Sequence, residues 1–315
     1  MRAMCLAGSA GKLALIEKDM PQPQPGRGEL LIRIIAAGIT PAELTWYPTT
    51  HLQTGEERIG AVPAHEFSGI VAAVGEEVAD AEIGRQVYGM NDWFADGALA
   101  EYCVTQPSSV AAKPASLTHD EAASVPIGAL TAWQGLFDHA KLQPGERVLV
   151  HGGAGGVGLF AVQLARNRGA HVTATASAHN LEFVSRLGAE QVIDYRGARF
   201  EEQVRDIDVV FDTVGGETLD RSWAVLKPAG RMVTIASNAE GNMDDRVKQA
   251  FFIVEPDQNQ LVQIGKLFDA ARLQTVVDAV VPLSETPAAF TGSIRERLGR
   301  GKLVATLTAA ENVLQ

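Results

Sequence analysis

The sequence predicts an α/β protein with a mainly-β, partly closed barrel-like part followed by a doubly wound parallel sheet. Residues 1–115 carry short β-prone runs separated by glycine and proline, with few long helical periods. After residue 118 the apolar residues recur at helical spacing, and strands then alternate strictly with helices. Strands this apolar need helices on both faces, which predicts a parallel sheet. A length of 315 residues suits two domains.

The composition is that of an ordinary globular protein, with 46% hydrophobic and 21% charged residues. The net charge is −11 and no basic cluster occurs, so we expect no nucleic-acid partner. No apolar run approaches the roughly 18–20 residues of a membrane span, so we expect no membrane partner either. Charged residues interrupt the first twenty positions, which predict two strands and a turn rather than a signal peptide. Two cysteines fit a reducing cytosol, and we therefore expect a cytoplasmic location.

The same patterns predict the individual elements. In the first part the longest predicted strands are Leu30–Ile39 and Phe67–Gly75, with shorter strands over 83–88 and 98–104. In the second part the predicted strands are 147–151, 171–177, 191–194, 209–212 and 231–236, and the predicted helices are 158–168, 181–187 and 217–226. Residues 251–254 are a further candidate strand, and helices over 258–271 and 286–297 with strands over 275–281 and 303–307 close the chain.

A glycine-rich turn lies between the predicted strand 147–151 and the predicted helix 158–168. Its glycines, Gly153-x-Gly155-x-x-Gly158, match the Rossmann dinucleotide fingerprint. In that fingerprint the first glycine permits a tight turn, the second lets the backbone approach a pyrophosphate, and the third lets helix and strand pack closely. The helix N-terminus adds free N–H groups and a partial positive charge. The turn predicts dinucleotide binding, and a glycine turn without a ligand is the alternative.

The end of the second strand of this part indicates which dinucleotide is bound. NAD sites place an Asp or Glu there, about 20 residues beyond the glycines, to bind the ribose diol. Residues 175–180 read TASAHN, and no acid occurs before Glu182. Four residues could instead donate hydrogen bonds to a 2′-phosphate, namely Ser177, His179, Asn180 and Tyr195. The sequence therefore favours NADPH over NADH.

Several further motifs occur in a fixed order from about residue 26 to the end. They are GITPAELTW, PAHEFSGIVAAVG, GALAEY, ASVPIGALTAWQGL, the glycine segment, LGAEQVIDY, DVVFDTVGG and GRGKLVATL. With these motifs the sequence resembles the zinc-independent quinone oxidoreductase branch of the medium-chain dehydrogenase/reductase superfamily.

That resemblance implies a GroES-like catalytic domain built from both chain ends, residues 1–122 and 272–315. An NADP-binding Rossmann domain over residues 123–271 would be inserted between them. Members of this branch use NADPH to reduce quinones or the activated double bond of α,β-unsaturated carbonyls (enones), and they are often dimers. We therefore expect an NADPH-dependent enzyme with a small-molecule quinone or enone substrate and a homodimeric state.

The resemblance also implies the cofactor contacts. Thr131 matches the threonine beside the nicotinamide, and Ser177 and Tyr195 fall where the family meets the 2′-phosphate. Asn180 departs from the pattern, since many relatives carry a lysine there. The other implied contacts are Gly153, Gly155, Gly156, Val157 and Gly158 at the pyrophosphate, Val214, Gly215, Ala236 and Ser237 near the nicotinamide ribose, and Phe252 and Val254 at the carboxamide.

His65 matches a histidine that binds catalytic zinc in the zinc-dependent relatives. The positions of the two cysteines that complete that site hold Thr40 and approximately Ile127, and neither suits zinc. The four closely spaced cysteines of the structural zinc lobe are absent from the sequence as well. We therefore expect no metal, and we expect His65 and Glu66 to orient the surrounding wall by hydrogen bonds.

Without a metal the hard chemistry belongs to the cofactor, and the protein supplies position and electrostatics. Reduction of an enone develops negative charge on its carbonyl oxygen, where a hydrogen-bond donor helps. Thr40, Tyr47 and His65 are the pocket candidates, and lining the pocket is the favoured role of Tyr47. Four aromatic residues could form a flat apolar slot for a planar substrate or could simply pack: Trp46, Tyr47, Trp93 and Phe94. An alcohol dehydrogenase-like enzyme and a cofactor-binding protein without turnover are the alternatives.

Overall fold

The computed structural model describes residues 1–8 and 14–307, which form two compact units. The first unit comprises Met1–Ile127, Pro256–Ala271 and the described part of Thr275–Gln315, and the second comprises Gly128–Glu255 and Arg272–Gln274. The first is mainly β, and the second alternates strands with helices, so the predicted fold class is confirmed. The predicted turn near the N-terminus falls on residues 9–13, outside the described residues.

The bounds of the strands and helices are as follows. The strands are β1 (Arg2–Ala7), β2 (Ala14–Asp19), β3 (Leu30–Ile39), β4 (Glu66–Val74), β5 (Gln86–Met90), β6 (Tyr102–Thr105), β7 (Val110–Ala112), β8 (Arg147–Val150), β9 (His171–Ala176), β10 (Gln191–Asp194), β11 (Ile207–Asp212), β12 (Leu226–Thr234), β13 (Val277–Pro282) and β14 (Lys302–Thr306). The helices are α1 (Tyr47–Thr50), α2 (His119–Ala123), α3 (Pro126–Trp133), α4 (Gly158–Arg168), α5 (Leu181–Arg186), α6 (Glu217–Ser222), α7 (Asp245–Ala250), α8 (Gln258–Asp269) and α9 (Thr286–Phe290).

The first unit contains a mixed sheet with the strand order β13-β14-β3-β4-β5-β7, and β6 also pairs with β3. Strand β14 pairs antiparallel with β3, with Leu303 opposite Ile39. Strand β3 also pairs antiparallel with β4, with Gly38 opposite Glu66. Nearly every residue of β3 is buried, because this central strand is covered on both faces. The last described strand of the chain therefore lies next to a strand that begins at Leu30.

The second unit contains a parallel five-stranded sheet with the order β10-β9-β8-β11-β12. The central residues of β8 and β11 are apolar and buried, as a sheet covered by helices requires. The order in which successive strands are added reverses between β8 and β11, because β9 and β10 lie on one side of β8 and β11 and β12 on the other. Parallel sheets of this kind bind ligands outside the carboxyl ends of the strands at such a switch point.

The largest differences between the predicted and the observed elements are three. Strand β12 begins at Leu226, five residues before the predicted start. The helix predicted over 286–297 ends at Phe290, because Gly292 follows with a left-handed φ of +73°. The candidate strand over 251–254 is reduced to one bridge between Thr234 and Phe251. Apolar periodicity identified these segments but did not fix where each one stops.

The domain boundaries also differ from the predicted ones. The second domain was predicted to span 123–271, whereas the second unit starts at Gly128 and residues 256–271 belong to the first unit. Helix α8 buries the apolar side chains of Leu261 and Ile264, and the Tyr88 hydroxyl of β5 donates to the Leu261 carbonyl at 2.6 Å. Helical periodicity shows that α8 has a buried face, but it does not show which sheet the helix covers.

Candidate active-site residues

The glycine turn of the second unit makes a close loop between β8 and α4. Gly152 has a left-handed φ of +72°, and its carbonyl oxygen accepts the Gly155 N–H at 2.9 Å. A Cβ on Gly158 would lie 2.1 Å from that carbonyl oxygen, so only glycine fits there. The left-handed turn falls at Gly152, not at Gly153 as the fingerprint predicted. Gly153 instead lies close to Ala174 and Val184, where an added Cβ would be crowded.

The space beside Gly155 is open. Within the described part of the chain, an added Cβ at Gly155 would touch only the Gly152 carbonyl oxygen, at 3.4 Å. Helix α4 begins at Gly158 after Val157, and no side chain among the described residues caps it. The first N–H groups of a helix have no partner within the helix and carry partial positive charge. The N–H groups of Leu159 and Phe160 already donate to the carbonyls of Gly155 and Val157, so an anion would meet the open backbone of the turn before Gly158 together with the partial positive charge of the helix start.

The carboxyl ends of β9 and β10 bring the predicted 2′-phosphate contacts together. Asp194 pairs in register with Ala176, so Ser177 and Tyr195 follow at neighbouring strand ends. Tyr195 is 53% exposed, and the Arg196 guanidinium lies 5.4 Å from its ring centroid. These strand ends, the predicted 2′-phosphate edge, therefore present two hydroxyl groups and one cation.

Asn180, which stands where many relatives carry lysine, is buried beneath this edge. Its main-chain N–H donates to the Ser177 carbonyl at 2.8 Å, and its Nδ2 lies 3.4 Å from the Ser177 hydroxyl. Asn180 therefore supports Ser177 and does not offer a donor at the surface.

The predicted ribose contacts lie on two loops at the ends of β11 and β12. The buried Asp212 carboxylate accepts the N–H groups of Val214 and Gly215 at 3.0–3.1 Å and the Thr234 hydroxyl at 2.9 Å. A Cβ on Gly215 would lie 2.5 Å from the Ala236 Cβ, so the two loops touch. Ser237 continues the second loop in a short 3₁₀ turn. Sequence reasoning missed Asp212, although it ends the motif strand DVVFD.

The buried His151 supports the start of the glycine turn through hydrogen bonds. Its Nε2 lies 2.9 Å from the Ser222 hydroxyl, which donates to a helix carbonyl, so Nε2 carries the proton. Its Nδ1 lies 3.2 Å from the Thr175 hydroxyl, which accepts the Gly152 N–H and donates to the ring. Burial lowers the pKa of His151 to about 4. This neutral histidine holds the loop and does not exchange protons at neutral pH.

The three remaining predicted cofactor residues have buried side chains. Thr131 lies in α3, and Val254 follows β12 along the chain. The ring of Phe252 stacks on His139 with centroids 4.3 Å apart. Contact of these residues with a nicotinamide stays a prediction.

In the first unit, His65 is fully buried and bonded through both ring nitrogens. Its Nδ1 lies 2.5 Å from a carboxylate oxygen of Glu43, and its Nε2 lies 3.0 Å from the Ala95 carbonyl. Both neighbours accept hydrogen bonds, so both nitrogens carry protons. Burial alone lowers the pKa of His65, but the charge of Glu43 and the hydrogen bonds to Glu43 and Ala95 outweigh it and raise the pKa. His65 is therefore an imidazolium without a lone pair for a metal.

A lysine that the sequence analysis missed lies beside Thr40. The Lys302 ammonium donates to the Thr40 hydroxyl oxygen at 2.8 Å and pairs with Glu66 at 2.5 Å. The other Glu66 oxygen accepts the Ile127 N–H at 2.9 Å. Burial raises the pKa of Glu66, and the Lys302 charge offsets part of that increase. The available signal was a single charged residue at the start of the apolar strand KLVAT.

These contacts do not fit a zinc ion. Thr40 and Glu66 are bonded to Lys302, both His65 nitrogens are engaged, and Ile127 has an aliphatic side chain. Across residues 1–8 and 14–307, no three His, Cys, Asp or Glu side chains cluster closely enough to hold one metal ion. The Lys302 ammonium supplies the positive charge at this place in the first unit.

The ring of Tyr47 stacks on a histidine, apart from the contact between the two tryptophans of the predicted slot. Its ring is half exposed and stacks on His51, with centroids 4.4 Å apart and planes 4° apart. Trp46 and Trp93 meet edge to face at 5.0 Å, and Trp93 also lies 5.2 Å from the His65 ring. The structure therefore brings Trp46, Trp93 and His65 together and leaves Tyr47 paired with His51.

Comparison with known proteins gives two domain matches. Residues 26–115 match the alcohol dehydrogenase GroES-like domain, and residues 187–304 match the zinc-binding dehydrogenase domain. The NAD(P)H oxidoreductase RTN4IP1, mitochondrial, of Danio rerio is 30% identical, covering 89% of this chain and 84% of its own length. The 2-methylene-furan-3-one reductase of Solanum lycopersicum is 31% identical, covering 88% of this chain and 71% of its own length. The solved quinone oxidoreductase of Coxiella burnetii superposes with a TM-score of 0.86 at 30% identity, covering 98% of this chain and 99% of its own.

The relative from Danio rerio corrects one prediction. This relative, which is 30% identical, is named as a mitochondrial protein. The predicted cytoplasmic location is therefore wrong. A low cysteine count indicates a reducing compartment, but it does not distinguish the cytosol from the interior of an organelle.

Proposed function

Because the chain belongs to the medium-chain dehydrogenase/reductase superfamily, we propose that it is an NADPH-dependent, zinc-independent reductase of quinones or enones. It is an oxidoreductase of a family that uses nicotinamide cofactors. The observation that carries the finer proposal is the Lys302 ammonium bonded to Thr40 and Glu66. Those residues leave no free set of ligand atoms for zinc. Any polarisation of a substrate carbonyl therefore has to come from the protein's own hydrogen-bond donors.

The second unit supports NADPH as the cofactor. Bound NADPH supplies a hydride, which is one proton with two electrons. The turn at Gly155 and the start of α4 bind the pyrophosphate. Ser177, Tyr195 and Arg196 bind the 2′-phosphate, and no carboxylate ends β9 to favour a ribose diol.

The names of the similar proteins support the substrate class. One relative is a 2-methylene-furan-3-one reductase, and one structural neighbour is a quinone oxidoreductase. In both reductions the hydride adds to the substrate, a proton from water completes the product, and negative charge develops on a carbonyl oxygen in between. Thr40 donates a hydrogen bond to that oxygen, while Trp46 and Trp93 contact the flat face of the substrate.

The test is an assay of the purified protein with NADPH and either 1,4-benzoquinone or 2-cyclohexen-1-one. We expect NADPH oxidation with both acceptors, unchanged after prolonged EDTA treatment, and no stoichiometric zinc by elemental analysis. A short-chain alcohol with NADP⁺ serves as the matched assay for the alcohol dehydrogenase alternative. Tightly held zinc near one ion per chain, or turnover of the alcohol alone, contradicts the proposal.

We also propose that the protein acts as a homodimer with small-molecule partners and binds neither nucleic acid nor membranes. Among the described residues, no helix is long and apolar enough to cross a bilayer. Light scattering coupled to gel filtration measures the oligomeric state, and a monomer at micromolar concentration contradicts the dimer.

A further inference from the structure

We propose that Lys302 positions the Thr40 hydroxyl as the hydrogen-bond donor to the substrate oxygen on which negative charge develops. This inference rests on the proposed function and names the residues that carry out its electrostatic part. Thr40 is the catalytic residue, because its hydroxyl contacts the substrate. Lys302 acts through Thr40 and is a positioning residue.

The direction of the hydrogen bonds at Thr40 follows from the chemistry of the two groups. An ammonium has donors and no acceptor, so the 2.8 Å contact makes the Thr40 oxygen the acceptor. The Thr40 hydroxyl hydrogen must then point away from Lys302. Thr40 is partly exposed at the end of β3, so its hydrogen can reach a ligand. Without the lysine, this hydroxyl could rotate and accept a hydrogen bond.

The sheet register holds the lysine at this place. Leu303 pairs with Ile39, so Lys302 lies opposite Thr40 where the two strands end. Gly38 of β3 pairs with Glu66 of β4, and a Cβ on Gly38 would lie 2.6 Å from the Glu66 side chain. Glycine at this position therefore leaves room for the Glu66 side chain. Its carboxylate then pairs with the ammonium of Lys302, a residue that is only 9% exposed.

The charge of Lys302 strengthens the proposed donor. A hydroxyl that accepts from an ammonium is polarised, and it donates more strongly to a negatively charged oxygen. Removing one preorganised donor of this kind typically lowers kcat by about 10²–10³-fold. The ammonium lies 2.8 Å from the Thr40 hydroxyl oxygen, so it acts on the substrate through Thr40.

The first experiment uses 2-cyclohexen-1-one with saturating NADPH. Thr40→Val removes the hydroxyl while keeping its shape, and we expect kcat to fall about 100-fold with KM changed less than about threefold. Thr40→Ser keeps the hydroxyl and should recover kcat to within about threefold of the wild type. If Thr40→Val has wild-type kcat while the wild type reduces the enone, the inference is overturned and the proposed function stands.

The second experiment tests the positioning role. Lys302→Met alone leaves Glu66 buried without its partner, so the variant used is Lys302→Met with Glu66→Gln, which removes both charges. We expect its kcat to fall at least about tenfold. The triple variant that also carries Thr40→Val should have a kcat no lower than that of Thr40→Val alone, because both changes act through one hydroxyl. Fully additive losses show that Lys302 does not act through Thr40 and overturn the inference.

The third experiment does not depend on turnover. The probe is 4-nitrophenol added to the protein with NADP⁺, because its phenolate mimics the developing oxyanion and absorbs near 400 nm. We expect the wild type to bind the phenolate at least about tenfold more tightly than Thr40→Val does. If the wild type shows this preference but does not reduce the enone, only the proposed function is refuted. Equal phenolate binding by the two proteins, or no binding, overturns the inference.

Discussion

The two units hold positive charge by different physical means. The second unit offers main-chain N–H groups around Gly155 and the start of α4. The first unit buries charged side chains in pairs, Lys302 with Glu66 and His65 with Glu43. Main-chain donors need no counter-charge, whereas an unpaired buried charge is costly. The first unit should therefore be sensitive to lost partners, and the second to added side chains.

Two buried histidines repeat this contrast. His65 lies between the Glu43 carboxylate and the Ala95 carbonyl, so it carries a charge. His151 lies between the hydroxyls of Thr175 and Ser222, so it stays neutral. Equal burial gives opposite protonation states, because the neighbouring acceptors decide which state is stabilised.

The largest expected effect comes from breaking the ion pair in the first unit. Lys302→Met should destabilise the protein by about 3–5 kcal/mol, because Glu66 stays buried without its partner. Urea unfolding of the cofactor-free protein measures the change. The double variant Lys302→Met with Glu66→Gln should regain most of the lost stability. A single variant as stable as the double variant contradicts the account of a costly unpaired charge.

The next effect is a pH dependence that His151 gives to the second unit. Its pKa is about 4 in the folded state against 6.5 for a free histidine, so the unfolded state takes up a proton first as the pH falls. The stability from this site is present above pH 6.5 and is lost as the pH falls toward 4, by about 3 kcal/mol. His151→Asn should lose correspondingly less stability between pH 7 and pH 4.5 in urea unfolding. An equally steep loss in both proteins rules out His151 as its source.

The contribution of His65 to stability should have the opposite pH dependence. Its raised pKa contributes stability below pH 6.5, and that contribution is lost as the pH rises through the folded-state pKa.

A smaller effect distinguishes two glycines of the turn. Gly155→Val should weaken NADPH binding at least tenfold, about 1.4 kcal/mol, because its side chain enters the pyrophosphate space. Its melting temperature should change little, since a Cβ there meets only one atom at 3.4 Å in the described structure. Gly158→Ala is the matched control, and it should lower the melting temperature because its Cβ would lie 2.1 Å from a carbonyl oxygen. Unchanged NADPH titration in Gly155→Val places the phosphate elsewhere.

The same contrast explains what could be predicted from the sequence. The glycine turn was recognisable because its three glycines lie within six residues, directly between a strand and a helix. The Lys302–Thr40 contact joins residues 262 positions apart, and only the pairing of β14 with β3 brings them together. Asp212 was missed for a related reason, since an acid at a strand end does not reveal which loop N–H groups it accepts. Local backbone requirements can be read from spacing, whereas long-range charge pairing needs the register.

The smallest expected effect concerns the 2′-phosphate edge, where the second unit combines side chains with its main-chain donors. We predict that NADPH binds at least tenfold more tightly than NADH, because Ser177, Tyr195 and Arg196 lie at the ends of β9 and β10. A hydrogen bond to a charged group contributes about 1.5–3 kcal/mol, but Tyr195 is 53% exposed, so we expect its share to lie below that range. Tyr195→Phe should therefore narrow the preference about threefold to tenfold and leave NADH affinity unchanged. Fluorescence titration of both dinucleotides at one ionic strength measures this. Equal wild-type affinities, or equal losses for both dinucleotides in Tyr195→Phe, refute the assignment.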